Sequence, residues 1–199
     1  DVTVLVPVFN EVGGIGTCHA AITEVMAASG ISFEIVFVDD GSTDGSIELL
    51  RDLALHHPSN IVVVKLLHNV GQQRAMYAAL AQCRGRAVVT YDVDLQFPPD
   101  CIPELSRKIF EGYDIAGGIR IGRKDSLLAN RLPSWIGRFL INKALRIDQQ
   151  DFGAVKAYSA RTVQLLLNMH SPLVVIPAMA YSVTRNMVEI PVRHQPRTV

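Results

Sequence analysis

The chain has 199 residues, of which 49% are apolar and 19% are charged, and 19 basic residues balance 19 acidic residues. This composition supports a packed core and excludes wholesale disorder, while zero net charge argues against a nucleic-acid-binding protein, which normally carries a basic excess. The sequence contains no run of about 18 apolar residues that could cross a bilayer as a helix, and the apolar run at residues 2–8 lacks the basic leader of a signal peptide.

Strands and helices alternate through the first 119 residues. Short apolar, β-branched runs predict strands, and longer stretches bounded by glycine, proline or capping residues predict helices. The predicted strands cover residues 2–8, 33–39, 61–67, 87–91 and 114–119, and the predicted helices cover residues 17–29, 46–56, 71–83 and 98–111. This alternation predicts an α/β fold with a mostly parallel central sheet that is covered by helices on both faces.

The pattern changes after residue 119. Residues 126–147 carry apolar side chains at near-helical spacing with basic residues between them, together with Trp135, and Pro133 should start or kink a helix there. Such a basic amphipathic helix would either lie on an anionic membrane surface or pack against the sheet. A further helix is predicted at residues 159–169 and a last strand at residues 187–193.

Charge is distributed unevenly along the chain. Residues 1–118 contain 15 acidic and 7 basic residues, whereas residues 119–199 contain 4 acidic and 12 basic residues. An acidic half can hold a cation and a basic half can face an anion, although two solvated faces of one neutral domain would give the same counts.

The cysteines and isolated histidines do not indicate a site. Cys18, Cys83 and Cys101 match neither a zinc pattern nor a disulfide framework, which predicts core residues in a reducing compartment. Three histidines lie near the motifs described below but are expected to be structural: His68, His170 and His194.

Polar clusters follow three of the predicted strands. Asn10-Glu11 follows the first strand, Asp39-Asp40 follows the second, and Asp92-Val93-Asp94 follows the fourth. Parallel sheets bind ligands beyond the carboxyl ends of their strands, where the strand order reverses. We therefore expect a site at this edge of the sheet.

The strongest chemical signal is Asp92-Val93-Asp94-Leu95-Gln96. Two carboxylates at positions i and i+2 can reach one hard cation, and Gln96 adds an oxygen. The pattern suits Mg²⁺ or Mn²⁺ bridging the protein to a diphosphate leaving group. The alternative is an ordinary turn, since Asp is common after strands.

Two further motifs have competing interpretations. Asp39 could accept a hydrogen bond from a nucleotide base and Gly41 would let the backbone approach a ligand, while the neighbouring Asp and Ser residues could also cap a helix. Gly14-Ile15-Gly16 starts like a dinucleotide-binding fingerprint, but His19 replaces the third glycine, so a nicotinamide cofactor is not predicted.

These motifs resemble glycosyltransferase family 2, which has the GT-A fold. The resemblance rests on four ordered segments, at residues 6–11, 38–44, 68–72 and 92–99. The second half is similar to the polyprenyl-phosphate glycosyltransferase branch, which includes dolichol-phosphate mannose synthases, bactoprenol glucosyltransferases and undecaprenyl-phosphate formamido-arabinose transferases. That similarity is carried by Gly118-Ile119-Arg120, Arg123-Lys124-Asp125-Ser126, Asp151-Phe152-Gly153, Lys156-Ala157-Tyr158 and Glu189-Ile190-Pro191-Val192.

The resemblance implies an inverting, metal-dependent transferase that moves a sugar from a UDP- or GDP-sugar to a polyprenyl phosphate. It implies a single Rossmann-like three-layer GT-A domain over residues 1–199, with residues 1–118 binding the nucleotide sugar and residues 119–199 facing acceptor and membrane. Mg²⁺ or Mn²⁺ would be the cofactor, and the domain would act at the cytoplasmic face of the membrane. Because the chain stops abruptly, we expect a membrane segment after residue 199; a homo-oligomer is left open.

The resemblance also assigns roles to single residues. The nucleotide would be held by Pro7, Phe9, Glu11, Asp39, Asp92 and Val93, and the cation by Asp94 and Gln96. The implied catalytic residues are Asp94, Arg120, Arg131 and Asp151, where the arginines grip phosphate and Asp151 lies near the acceptor. Arg123 and Lys124 would lie on a mobile loop near the membrane. Phe9 and Val93 stand where Tyr and Ala are common, which leaves the sugar undetermined.

Two alternatives stay open at this point. One is a family 2 enzyme with a polysaccharide or other soluble acceptor, and the other is a non-catalytic domain that binds nucleotide sugars. Apolar spans after residue 199 would favour the lipid acceptor, and the intact Asp92-Val93-Asp94 weighs against the non-catalytic domain.

Overall fold

The computed structural model of the protein describes residues 1–121 and 155–193. Within these ranges the strands are β1 (Val2–Val8), β2 (Phe33–Asp39), β3 (Ile61–Lys65), β4 (Ala87–Thr90), β5 (Ile115–Ile121), β6 (Lys156–Ser159) and β7 (Met187–Arg193). The α-helices in the same ranges are α1 (Val12–Ser29), α2 (Ser46–His56), α3 (Gln72–Ala79), α4 (Cys101–Phe110), α5 (Ala160–Leu167) and α6 (Ile176–Val183). A 3₁₀ turn, Leu80–Gln82, follows α3.

The strands form one sheet in the order β3-β2-β1-β4-β6-β5-β7. The first four strands of this order run parallel, β6 is antiparallel to both β4 and β5, and β7 is parallel to β5. The predicted mostly parallel sheet is confirmed. Because the chain moves outward from β1 to β3 and then returns to place β4 on the other side of β1, the strand order reverses between β1 and β4, where a ligand site is expected.

Helices cover both faces of the sheet and bury its β-branched side chains. One core joins the sheet to α1, α2 and α4 through residues such as Ile22, Leu50 and Leu105. The other core joins the opposite face to α3, α5 and α6 through residues such as Met76 and Leu166. The predicted three-layer α/β sandwich is therefore confirmed.

The first helix begins at Val12 rather than at residue 17 as predicted. Its first turn is stabilised from a distant loop, because the Val12 N–H donates to Asp44 Oδ2 at 3.1 Å and the Glu11 N–H donates to Ser46 Oγ at 3.2 Å. Gly14 and Gly16 consequently lie inside a helix, and a Cβ at Gly16 would meet nothing within 4 Å. A phosphate-binding glycine turn is therefore absent from this segment.

The sequence pattern missed β6 and α6. β6 has only four residues and begins with Lys156, which is 1% exposed, so its burial is not visible as an apolar run. Other boundaries differ from the predictions by a few residues. Pro98 and Pro99 precede α4 and do not open it, and their carbonyls accept the N–H groups of Cys101 and Ile102.

Several predictions lie outside the described residues. These are the basic amphipathic helix at 126–147, with Pro133 and Trp135, and the site or loop residues Arg123, Lys124, Arg131, Asp151 and His194. Across residues 1–121 and 155–193, every helix is too short or too polar to traverse a bilayer.

Candidate functional site

A cleft of about 360 Å³ lies at the carboxyl ends of β1 and β4, where the strand order reverses. Its volume falls in the range of small-molecule sites. The residues lining it are Pro7, Val8, Phe9, Glu11, Asp40, Asn69, Gly71, Gln72, Asp92, Val93 and Asp94. The cleft thus brings together Asp94 and every residue predicted to bind nucleotide except Asp39.

The turn after β1 exposes an aromatic ring at the cleft. Asn10 has a left-handed backbone (φ 54°), which Asn tolerates better than most residues, and its Oδ1 accepts the Thr43 N–H at 2.8 Å. The Asn10 N–H in turn donates to Ser42 Oγ at 3.0 Å. These bonds join the turn after β1 to the loop after β2, and they leave Phe9 at the cleft with 46% of its surface exposed.

The loop after β2 is joined to the loop after β3. Asp40 is 2% exposed, and its two carboxylate oxygens accept the N–H groups of Val70 (2.7 Å) and Gly71 (2.9 Å). Gly41 adopts φ +75°, and a Cβ there would lie 2.8 Å or less from backbone atoms of His68 and Asn69. Because Gly41 has no side chain, its backbone can contact the backbone of the loop after β3. This contact explains the glycine, in place of the predicted approach of a ligand.

Asp39 is fully buried and does not line the cleft. Its Oδ1 accepts the Ser42 N–H at 3.3 Å, while Oδ2 has no hydrogen-bond partner among residues 1–121 and 155–193. A buried acceptor without a donor is energetically unfavourable. Contact between Asp39 and a nucleotide base stays a prediction.

Asp44 accepts the N–H group of the first residue of both α1 and α2. Its Oδ1 accepts the backbone N–H (3.0 Å) and the hydroxyl (2.6 Å) of Ser46, and its Oδ2 accepts the Val12 N–H. Desolvation acts to raise the pKa of Asp44, but these hydrogen bonds together lower it below the usual range. The N-cap residues of α1 and α2 are Glu11 and Gly45, and neither makes a side-chain cap bond, so Asp44 satisfies these N–H groups from outside the N-cap positions.

The carboxylates of Asp92 and Asp94 follow β4 at the floor of the cleft. Asp92 Oδ1 accepts a hydrogen bond from Gln72 Nε2 at 2.7 Å, and Asp94 Oδ1 accepts the Gln96 N–H at 3.1 Å. Leu95, which lies between Asp94 and Gln96 in the chain, is buried and has a left-handed backbone (φ 54°), a strained conformation for a leucine.

Negative charge is concentrated around these two side chains. The Asp92 side chain is open to the cleft, but the surrounding protein atoms limit its solvation, and this desolvation together with the charge of Asp94 raises its pKa. The Gln72 hydrogen bond and the charge of Arg120 oppose the rise. Burial, and then the charges of Asp92 and Asp94, raise the pKa of the Cys18 thiol to about 12.

The two carboxylates of Asp92 and Asp94 suit a hard divalent cation whose remaining ligands come mostly from bound phosphate and water. Carboxylate oxygens suit Mg²⁺ and Mn²⁺, and Mg²⁺ in phosphate-binding sites is typically held by one or two carboxylates plus phosphate oxygens and water. In the described part of the chain, no group of three or more His, Cys, Asp or Glu side chains gathers to form a complete cage. The Gln96 side chain is half-buried and is not part of the cleft lining, so its role as a ligand stays a prediction.

Arg120 approaches the same site from β5. Its guanidinium lies over the ring of Phe97, with the Cζ atom 5.2 Å from the ring centroid. It is close enough to Asp92 for its charge to lower the pKa of that carboxylate. The structure therefore brings Arg120 to the acidic cluster, and its role in gripping phosphate stays a prediction, whereas Arg131 and Asp151 belong to the residues not described.

Sequence reasoning assigned no role to three cleft residues with polar side chains, Asp40, Asn69 and Gln72. All three lie within the motifs described above. The hydrogen bonds made by Asp40 and Gln72, however, join residues that are 20 to 31 positions apart in the chain. No local pattern reveals such partners. His68 and His170 are exposed and do not line the cleft, and their structural role stays a prediction.

Comparison with known proteins identifies relatives of this chain. The undecaprenyl-phosphate 4-deoxy-4-formamido-L-arabinose transferase of Edwardsiella ictaluri (strain 93-146) is 36% identical over 197 residues, which cover 98% of this chain and 60% of the relative. The chain thus spans about three fifths of that relative's length.

Solved structures share the fold. The mannosyltransferase PcManGT from Pyrobaculum calidifontis, in complex with GDP-Man and Mn²⁺, matches with a TM-score of 0.69 at 20% identity, over 97% of this chain and 56% of that one. Glucosyl-3-phosphoglycerate synthase from Mycobacterium tuberculosis, in complex with Mn²⁺, UDP and phosphoglyceric acid, matches with a TM-score of 0.68 at 19% identity, over 98% and 71% of the two chains. These likenesses confirm the predicted GT-A fold.

The sequence matches the family model described as "Glycosyl transferase family 2" over residues 3–166, which include β1 from its second residue, all of β2 to β6 and every residue lining the cleft. This match covers most of the chain and agrees with the four motifs and the fold. The chain belongs to glycosyl transferase family 2.

Proposed function

We propose that the chain is the catalytic domain of an inverting glycosyltransferase that moves a sugar from a nucleotide-sugar donor to a polyprenyl phosphate. The observation that carries the proposal is the cleft at the β1–β4 reversal, with the carboxylates of Asp92 and Asp94 on its floor. The relative named for undecaprenyl phosphate supports the acceptor class. The solved structures with GDP-Man and Mn²⁺, or with UDP and Mn²⁺, support the donor class and a divalent cation.

The nucleotide would bind against the end of β1. The exposed ring of Phe9 offers a face on which a base can stack, and Pro7 and Glu11 complete this wall. Asp39 Oδ2 lacks a donor among the described residues, and a base N–H reaching it would satisfy this acceptor. Asp92 and Val93 would contact the ribose from the floor of the cleft.

The diphosphate would lie next to Asp94. A divalent ion held by Asp94, with Gln96 and Asp92 beside it, would supply positive charge to the departing diphosphate. Arg120 adds a fixed cation near Asp92 that can pair with phosphate oxygens. Because the strand ends and the Phe97 ring hold these groups in place, they need little rearrangement during the reaction.

The acceptor would approach from the second half of the chain. A lipid phosphate is already anionic at neutral pH, so it can attack the anomeric carbon without a strong base, and a single displacement inverts the configuration. Arg131 would grip phosphate and Asp151 would orient the acceptor. The excess of 12 basic over 4 acidic residues in 119–199 fits a lipid phosphate and the anionic cytoplasmic leaflet.

The test is a transfer assay with a panel of UDP- and GDP-sugars and Mn²⁺, in which undecaprenyl phosphate, a soluble acceptor or no acceptor is added. We expect Mn²⁺-dependent transfer of the sugar to the lipid phosphate. Transfer to the soluble acceptor alone would assign the polysaccharide-type alternative. Donor binding without transfer in any arm would make the chain a binding domain, and failure to bind any donor would remove the proposal.

A further inference from the structure

Gln72 is the first residue of helix α3 and lines the cleft beside the acidic cluster. Its Nε2 donates to Asp92 Oδ1 at 2.7 Å, a short distance that is typical of hydrogen bonds to a charged acceptor. This bond engages one oxygen of the Asp92 carboxylate and leaves the other, Oδ2, for a ligand. A carboxylate at a strand end is otherwise free to rotate about its side-chain bonds.

The position of Gln72 is itself fixed by buried contacts. The two residues before it, Val70 and Gly71, donate their N–H groups to the buried carboxylate of Asp40. The same loop is pressed against Gly41, where no side chain would fit. The start of α3 is therefore anchored to the loop after β2, and the Gln72 side chain extends from a fixed backbone toward Asp92.

The next residue, Gln73, has a different partner. Its Oε1 accepts the backbone N–H of Ile176, the first residue of α6, at 3.0 Å. This bond joins two helices, and Gln73 does not line the cleft. Two adjacent glutamines on one helix thus make one bond into the cleft and one bond that joins α3 to α6.

We propose that Gln72 is a positioning residue, which orients the Asp92 carboxylate for the nucleotide diphosphate and its cation. This inference rests on the proposed function, because it assumes that the cleft binds these groups. Hydrogen-bond partners that orient a ligating or neighbouring carboxylate contribute strongly to metal affinity, and their removal typically weakens it 10- to 100-fold. Because the Gln72–Asp92 bond is open to solvent, we expect a loss near the lower end, about tenfold.

The test compares Gln72→Met with Gln73→Met in direct binding of Mn²⁺ with UDP or GDP, whichever the wild-type protein binds, measured by isothermal titration calorimetry. Methionine retains the length of glutamine but removes its donor and acceptor. We expect Gln72→Met to raise the dissociation constant about tenfold with little change in Tm. Gln73→Met should lower Tm and leave binding unchanged.

A double-mutant cycle distinguishes positioning from a general effect. If Gln72 acts through Asp92, Gln72→Met should change binding no further in an Asp92→Ala background. Wild-type-like binding by Gln72→Met, an equal loss in both backgrounds, or a fall in Tm that matches that of Gln73→Met would each overturn the inference. If the wild-type protein binds neither nucleotide with Mn²⁺, the proposed function fails and this inference fails with it.

Discussion

Gly41 and His68 are in direct backbone contact, so that a Cβ on Gly41 would lie 2.7 Å from the carbonyl carbon of His68. Real Cβ atoms do not approach backbone this closely, and neither neighbour can move as a flexible side chain could. This contact, together with the Asp40 hydrogen bonds, fixes the loop between β3 and α3 relative to β2. One wall of the cleft is therefore determined by contacts within the protein.

Gly41→Ala should destabilise the protein by about 2–3 kcal/mol, because it combines a left-handed backbone with a backbone clash. The matched control is Gly45→Ala, where φ is +92° but a Cβ would meet nothing within 4 Å. That control should lose about 1 kcal/mol from backbone conformation alone. Urea unfolding of both variants checks the difference, and equal losses would show that the contact with His68 relaxes without cost.

Asp94→Asn should lower the rate of metal-dependent sugar transfer by about 10²- to 10³-fold, the usual effect of removing one group that stabilises developing charge. The Asn side chain can still accept the Gln96 N–H, so Tm should stay close to that of the wild type. Asp100→Asn, in the exposed residue before α4, is the control and should retain activity. Full activity of Asp94→Asn would remove the cation assignment.

Asp44→Ala should lower the free energy of unfolding by about 0.5–1 kcal/mol at neutral pH, because it removes the acceptor of the first N–H groups of α1 and α2, and solvent screens this exposed carboxylate. Because the folded pKa of Asp44 is lowered, its stabilisation is present above the ordinary Asp pKa and is lost as pH falls through the lowered folded value. The difference in unfolding free energy between wild type and variant should therefore shrink at acidic pH. Urea titrations between neutral pH and about pH 3 measure it; a difference that is constant across this range would contradict this role of the carboxylate.

The three cysteines should resist thiol reagents in the folded protein. Burial is the main cause that raises the pKa of Cys18, Cys83 and Cys101 to about 12 in each case, so almost no thiolate is present at pH 8. Ellman's reagent should react with all three only after unfolding. Cys83, which is partly exposed, should be the first to react as denaturant is added. Rapid labelling of Cys18 in the native protein would show that α1 opens away from the sheet.

Local sequence patterns predicted the strands whose buried residues form continuous apolar runs in the sequence. β1 and β2 match their predicted bounds because their Val, Ile and Phe side chains are buried on both faces of the sheet. β6 was missed because it is short, polar at both ends and paired antiparallel with a strand more than 60 residues earlier. α6 was missed because its eight residues are almost all apolar and show no polar face.

The acidic cluster was also predictable, since Asp92 and Asp94 stand directly after a strand. The hydrogen bonds that shape the cleft were not, because each joins loops that are distant in sequence. Asn10, for example, was noted as part of a polar cluster, but its bond to Thr43 depends on a left-handed turn that the sequence does not disclose. Such long-range hydrogen bonds can be predicted only when the register of β1 with β2 is known, and that register is seen only in the folded sheet.

The antiparallel position of β6 has a consequence for synthesis of the chain. One side of β4 pairs with β1, but its other side pairs with residues that leave the ribosome about seventy positions later. Until then Ala87, Val88 and Val89, which are fully enclosed in the finished sheet, border an open strand edge. Unpaired apolar edges are templates for self-association. Nascent chains and fragments that stop before Lys156 should therefore aggregate through β4, and chaperone protection should matter most during this interval.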